Sequence, residues 1–265
     1  MTIHWSAYRR ARRRSRQAWA LLSVLILGIV CVIGWFFTVG QFSIAEPRVN
    51  GPSEAPVLDR DWMKPVAPVQ PVPAGSAAGA LEQLPVKGRA PKNDYDRSAF
   101  GQAWFDADHN GCDTRNDILR RDLTGELFTE GSDCKVSSGD FHEPYTGSLV
   151  SFRRGSESSM AVQIDHVVAL ADSWQKGAQQ LTKQQRQNLA NDPLNLIAAD
   201  GPANQEKGAG DAATWLPGNK AFRCHYVARQ ISVKAAYRLW VTQPEKDALK
   251  RVLDACPWQQ TIIVE

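Results

Sequence analysis

The chain has 265 residues, 43% hydrophobic and 22% charged, which allows one packed domain with extra segments and excludes wholesale disorder. The formal net charge is +3, but residues 1–45 hold six arginines and no acidic residue, leaving 25 basic against 28 acidic residues in 46–265. A globally basic nucleic-acid binder is thereby excluded, and any phosphate-binding site must be local.

The first predicted element spans a membrane. Arg9, Arg10, Arg12, Arg13, Arg14 and Arg16 precede an uncharged stretch from Ala18 to Val39 with aromatic residues near both ends. A helix of that length rises about 33 Å, enough to cross a bilayer core of about 30 Å. The pattern predicts a cytoplasmic Arg-rich tail over 1–17 and a transmembrane signal anchor over 18–39. The expected location is the cell membrane, single-pass, with the C-terminal domain extracytoplasmic. A cleaved signal peptide is the rival reading. Cleavage after Ala45 would give a secreted chain with the same compartment for the rest.

Residues 40–91 read as a Pro/Ala-rich extracytoplasmic linker, because nine of the fifteen prolines fall between Glu46 and Pro91. Proline removes backbone donors and favours extended polyproline II, hence a semi-rigid spacer. Cys31 lies in the apolar segment, and Cys112, Cys134, Cys224 and Cys256 lie beyond the linker with no Cys-x-x-Cys pair. Outside the cytoplasm this argues for disulfides rather than a zinc knuckle. Of the possible connectivities, Cys112–Cys134 and Cys224–Cys256 are favoured because each pair brackets a compact local segment.

The remaining 92–265 predict one α+β domain, rich in helix with a small sheet. Arg97 to Phe105 reads as a short helix with Phe100 and Trp104 on one face. The Gly/Ser/Asp-rich stretch 124–159 reads as loops and short strands, followed by a strand over Ala161–Asp165. Thr182 and Gln185 form a capping box opening a helix to about Ala190. A second strand covers Asn195–Ala199, a turn follows at Asp200-Gly201-Pro202, and a short helix runs from Ala203 to about Lys207. A long helix covers Lys220–Leu239, and a second capping box at Thr242 and Glu245 opens a last helix to about Leu253.

The chemistry concentrates in Asp165-His166, Asn195 and Asn204-x-x-Lys207. An imidazole at a strand end is a candidate general base, since its ordinary pKa is near neutrality. Strand, tight turn and helix would bring Asn204 back beside the first strand. Asp165 and Asn204 then offer oxygen ligands suited to a hard cation such as Mg²⁺. The plain alternative is a hydrogen-bonded core histidine, with Asn195 as a turn residue and Lys207 serving a helix C-terminus.

These residues occur among further strings in a fixed order: Cys112-Asp-Thr-Arg-Asn116, Pro144-Tyr-Thr-Gly147, Gln163-Ile-Asp-His166-Val-Val-Ala-Leu170, Asn191-Asp-Pro-Leu-Asn195, Asp200-Gly-Pro-Ala-Asn204-Gln-x-Lys207, Trp215-Leu-Pro217 and Phe222-Arg-Cys224. The set resembles the HNH, or ββα-metal, nuclease motif. More narrowly, the stretch from about Tyr95 to Cys256 resembles the GmrSD-type HNH endonuclease C-terminal domain family in its secreted actinobacterial form. The resemblance implies a ββα-metal core embedded in the helix-rich domain, with helix 182–190 inserted between its strands. It implies that His166 activates water, that Asn195 orients His166 through its carbonyl oxygen, and that Asp165 and Asn204 hold one divalent metal, Mg²⁺ or alternatively Mn²⁺. Lys207 would contact phosphate or the developing charge. Asn stands where the name-giving pattern has its last His.

Asp106 to Asp117 also fits the calcium-loop template, with oxygen-bearing residues at positions 1, 3 and 5, Gly111 at 6 and Asp at 12. The competing readings are a plain turn and a disulfide-pinned loop that places Arg115 and Asn116 near the catalytic residues. Arg115 suits a phosphate clamp because its fork matches phosphate oxygens. Arg223 belongs to a scatter of basic residues that could face the substrate. The expected function is a metal-dependent endonuclease hydrolysing DNA phosphodiesters outside the cytoplasm, with RNA left open and the membrane contacted through residues 18–39. The alternatives are a non-catalytic envelope-binding module on a degenerate nuclease fold, and a hydrolase of another phosphodiester.

Overall fold

The strand pair that carries Asp165 and His166 is antiparallel. In the computed structural model, which describes residues 67–155 and 158–264, β4 (Val162–His166) pairs with β5 (Leu196–Asp200), with Asp165 opposite Ile197 and His166 opposite Leu196. Helix α6 (Gly201–Lys207) follows β5 without a gap, so the strand pair runs directly into a helix. Gly201 is required there, because a Cβ would lie 2.0 Å from the Met160 carbonyl oxygen. Only glycine lets α6 start this close to the approach to β4.

Between the two strands lie α4 (Leu170–Gln175) and α5 (Lys183–Asn191). Upstream of them are α1 (Ala77–Gln83), α2 (Thr114–Asp122), the antiparallel sheet β1 (Leu123–Phe128), β2 (Val136–His142) and β3 (Leu149–Arg153), and the single turn α3 (Ser158–Ala161). Downstream, α7 (Arg223–Ala236) and α8 (Gln243–Leu253) complete the described elements. The fold is α+β. Both capping boxes form, at Thr182 with Gln185 and at Thr242 with Glu245. Their signal is local, so sequence suffices to find them.

Three places differ from expectation. The helix expected over Arg97–Phe105 stops as a 3₁₀ turn at Phe100, because Gly101 takes φ 79° and leads the chain away. The helix expected over Lys220–Leu239 divides into a 3₁₀ turn, Lys220–Phe222, and α7, which ends at Ala236. Residues 67–91, read as the end of the linker, are part of the folded unit. Val69 and Val72 pack against the apolar cluster that includes Tyr237 and Leu239, and Ala77, Ala80 and Leu81 of α1 sit in a core with Val227, Ile231 and Leu249. Burying Leu81 alone stabilises by roughly 2 kcal/mol. Proline suppresses regular structure, but the valines and leucines between the prolines still find a core. The tail 1–17, the segment 18–39 and linker residues 40–66 lie outside the described residues.

Disulfides join Cys112 to Cys134 and Cys224 to Cys256, closing separations of 22 and 32 residues. Loops of this size stabilise by about 3 kcal/mol each through the unfolded chain. The first ties the N-terminus of α2 to the turn before β2, and the second ties α7 to the end of α8.

Candidate active site

Side chains alternate along β4, so Gln163 and Asp165 share one face. Helix α6 covers that face. Asn204 and Lys207, three residues apart, lie on one side of the helix. Asn204 donates to the Gln163 side chain at 2.9 Å, and the Lys207 ammonium reaches Asp165 Oδ1 at 2.9 Å. Lys207 also donates to the His166 carbonyl at 2.8 Å. The Tyr145 hydroxyl donates to the other Asp165 oxygen. Burial raises the Tyr145 pKa well above its ordinary value, with the Asp165 charge adding to it, so the phenol stays a donor. Burial also raises the Asp165 pKa, against the pull of Lys207 and Tyr145.

His166 sits at the end of β4. Its Nε2 lies 2.9 Å from the Ala190 carbonyl oxygen at the end of α5. A carbonyl only accepts, so the neutral ring carries its proton on Nε2 and keeps a lone pair on Nδ1. The ring stacks on Trp104, with centroids 6.3 Å apart and planes 18° apart. Trp104 takes φ 57°, a conformation rare for a bulky residue and often found at functional sites. Burial, followed by the positive charge of Arg97, pushes the His166 pKa down to about 3. His166 is therefore neutral at neutral pH, the protonation state a general base needs.

That depression has a sign in stability. Above the ordinary value of 6.5 both folded and unfolded chains leave this ring neutral; below it only the unfolded chain takes up the proton. The contribution is complete above pH 6.5 and is lost as pH falls towards 3. The slope is at most about 1.4 kcal/mol per pH unit. Urea unfolding between about pH 7 and 5 should show this slope in the parent chain and a shallower one in a His166→Phe variant. Equal slopes would contradict the burial assigned to the ring.

An open cleft of about 340 Å³ is lined by Asp165, His166 and Asn204, together with Tyr95, Arg97 and Gln163. A smaller cavity of about 30 Å³, touching Arg97, Trp104 and His166, adjoins the ring. The other expected site residues act elsewhere. Asn195, fully buried, makes no hydrogen bond to the His166 ring; Ala190 supplies the carbonyl expected of it. Its side chain accepts from Val168 N at 2.8 Å and donates to Leu189 O at 3.1 Å, and its backbone carbonyl accepts from Val167 N. Asn195 thus pins the turn after His166. The Lys207 side chain is 0% exposed, so it holds Asp165 and the His166 backbone instead of touching phosphate.

Arg115, Asn116 and Arg223 do not line the cleft. Arg115 donates to Val162 O at the start of β4. Asn116 is buried, accepting from Arg154 and Val136 N and donating to Asp113. Arg223 caps the Pro217 carbonyl. In the 106–117 loop, Asp106 and Asp108 accept from the Asn110 and Gly111 amides, and the Asn110 side-chain nitrogen donates to Asp108 and Asp117. The Asn110 amide thus lies between the Asp108 and Asp117 carboxylates. Among the described residues no group of three or more His, Cys, Asp or Glu side chains could hold a metal. Sequence reasoning passed over Arg97 and Tyr145. Tyr145 had a signal in the Pro144-Tyr-Thr-Gly147 string.

Residues 113–252 match the family model described as GmrSD restriction endonucleases, C-terminal domain. An uncharacterized secreted protein of Arthroderma benhamiae is 37% identical over 185 residues, covering 69% of this chain and 86% of that protein. No solved structure matches. The expectation of a single-pass membrane protein is corrected by these findings. The similar relative is a secreted protein, four cysteines are paired as an oxidising compartment allows, and among the described residues no helix is long and apolar enough to cross a membrane. Segment 18–39, on which that expectation rested, lies outside the described residues.

Proposed function

Because this chain belongs to the family of GmrSD restriction endonuclease C-terminal domains, we propose that it is an HNH-type endonuclease, secreted, hydrolysing phosphodiester bonds of DNA outside the cytoplasm. The observation that carries this reading is a neutral His166 whose Nε2 is engaged by the Ala190 carbonyl, beside Asp165 and Asn204 in one cleft. The Nδ1 lone pair takes a proton from water as the water attacks phosphorus, the bond to the 3′-oxygen breaks, and the departing 3′-oxygen takes a proton from solvent. The products carry 5′-phosphate and 3′-hydroxyl ends. Lys207 holds the His166 carbonyl and Asn195 holds the Val167 and Val168 amides that follow it, which fixes the backbone that carries the ring.

Asp165 and Asn204 are the residues that would hold a divalent cation. The Asp165 carboxylate has about four acceptor positions, and two protein donors use it. The Asn204 carboxamide oxygen has no partner among the described residues. Two oxygen donors that leave positions for water and phosphate suit Mg²⁺ or Mn²⁺. When bound, the cation supplies Lewis-acid stabilisation of the charge developing on the phosphoryl and leaving oxygens. The Lys207 ammonium already offsets the Asp165 charge, so affinity without substrate should be weak.

Incubation of the purified chain with supercoiled plasmid and Mg²⁺ or Mn²⁺ tests the reading. Nicking that a chelator stops is expected. Intact plasmid with either metal, alongside intact single-stranded DNA and RNA, would refute the nuclease assignment.

A further inference from the structure

Residues 46–265 carry no excess positive charge to attract DNA from a distance, so the cleft itself must grip phosphate. The cations expected to do so do not reach it: Lys207 is buried against Asp165, and Arg115 and Arg223 cap carbonyls elsewhere. Among the residues lining the cleft, Arg97 is the only lysine or arginine. It is exposed, and its guanidinium has neither a hydrogen-bond nor an ion-pair partner among the described residues. It also lines the small cavity against the His166 ring.

Its backbone, by contrast, is held firmly. Arg97 opens a 3₁₀ turn whose N-cap, Asp96, accepts from Ser98 N at 2.6 Å. Tyr95 and Phe100, on either side, both pack on Trp174, with centroids 6.1 and 6.2 Å away. Arg186 donates to the Ala99 carbonyl at 2.8 Å. A free guanidinium on a fixed turn is what bidentate phosphate binding uses, since little backbone entropy is lost on contact. The turn also lies before residue 113, where the family match begins. One wall of the cleft therefore comes from outside the matched domain.

We propose that Arg97 is a substrate-contact residue, binding a DNA phosphate beside the bond that His166 attacks, and that the segment preceding the family domain thereby completes the active site. This inference rests on the nuclease reading. Binding of a fluorescent DNA duplex to the full-length His166→Ala chain, against the same chain also carrying Arg97→Ala or Arg97→Lys, tests it without cleavage. Arg97→Ala should weaken binding about tenfold. It should also reduce the slope of log affinity against log salt by about 0.9, one phosphate contact's worth. Arg97→Lys should keep the slope and lose part of the affinity. In the otherwise unaltered chain, Arg97→Ala should lower kcat/KM about tenfold at an unchanged Tm.

Unchanged affinity and slope in Arg97→Ala would overturn the inference. If the chain nicks DNA, His166→Ala silences it and Arg97→Ala does not alter it, only this inference falls. A parent chain that neither binds nor cuts DNA overturns the nuclease reading as well.

Discussion

Replacing His166 by alanine should lower the rate of plasmid nicking by about 100-fold or more. The ring is the one imidazole in the cleft, it is neutral at neutral pH, and the Ala190 carbonyl fixes its orientation and leaves Nδ1 free. Asp165 is a poorer base, because the Lys207 ammonium and the Tyr145 hydroxyl each donate to it and stabilise its charge. The replacement also strands the Ala190 carbonyl, at a cost of about 1–3 kcal/mol. Nicking should therefore be measured well below the variant's Tm, with near-native circular dichroism as the control. A folded His166→Ala chain that nicks at the parent rate would remove His166 from the mechanism.

How much of this site could be read from sequence depended on distance along the chain. Strand β4, the Asp200 turn and α6 occupy short windows, and the three-residue spacing of Asn204 and Lys207 already places both on one helix face. The capping boxes and disulfide pairs are local too. What Lys207 does there is not local. Whether a lysine meets phosphate or a buried carboxylate depends on Asp165, 42 residues away. Asn195 was similarly readable as important and misread in role, because Ala190 offers a backbone carbonyl and no side-chain signature. Pro68 to Pro73 looked like a tether for a related reason: Gln70 bonds the backbone carbonyls of Ala235 and Ala236, and the Pro73 carbonyl accepts from Thr261, all at the far end of the chain. Arg97 reads in sequence only as the start of a helix; the packing of Tyr95 and Phe100 on Trp174, far along the chain, is what sets its turn beside the cleft.

The largest stability effect expected of a single charge removal is at Lys176, in a network equally hidden from sequence. Lys176 is 0% exposed and lies 2.7 Å from carboxylate oxygens of Asp172, Asp211 and Glu245. Lys234 pairs with Glu245 at 3.0 Å, and Arg89 reaches Asp172 and Asp211 at 2.8 and 2.6 Å. Three cations thus balance three anions. They join the N-terminal segment, α4, the loop after α6, α7 and α8. Lys176→Met preserves the apolar stem but leaves three carboxylates to two cations in the core. Removing one partner of a buried ion set costs about 3–5 kcal/mol, because the stranded charge is not resolvated. For a domain of this size the Tm should fall on the order of 10 °C.

The pH dependence of the same variant checks the cause. Burial pushes the Asp211 pKa up, but the Lys176 hydrogen bond and charge, with Arg89, pull it net below its ordinary value. The unfolded chain therefore binds that proton first. The Asp211 contribution is present above about pH 3.9 and lost as pH falls through the depressed folded value. Lys176→Met should weaken that acid-side loss as well as lower the plateau. Adding Asp211→Asn to Lys176→Met leaves two cations with two carboxylates and should recover part of the lost Tm. A Tm within about 2 °C of the parent for Lys176→Met, under 1 kcal/mol in a domain of this size, would mean that water or rearrangement relieves the stranded carboxylates. The network would then contribute little to holding the helices together.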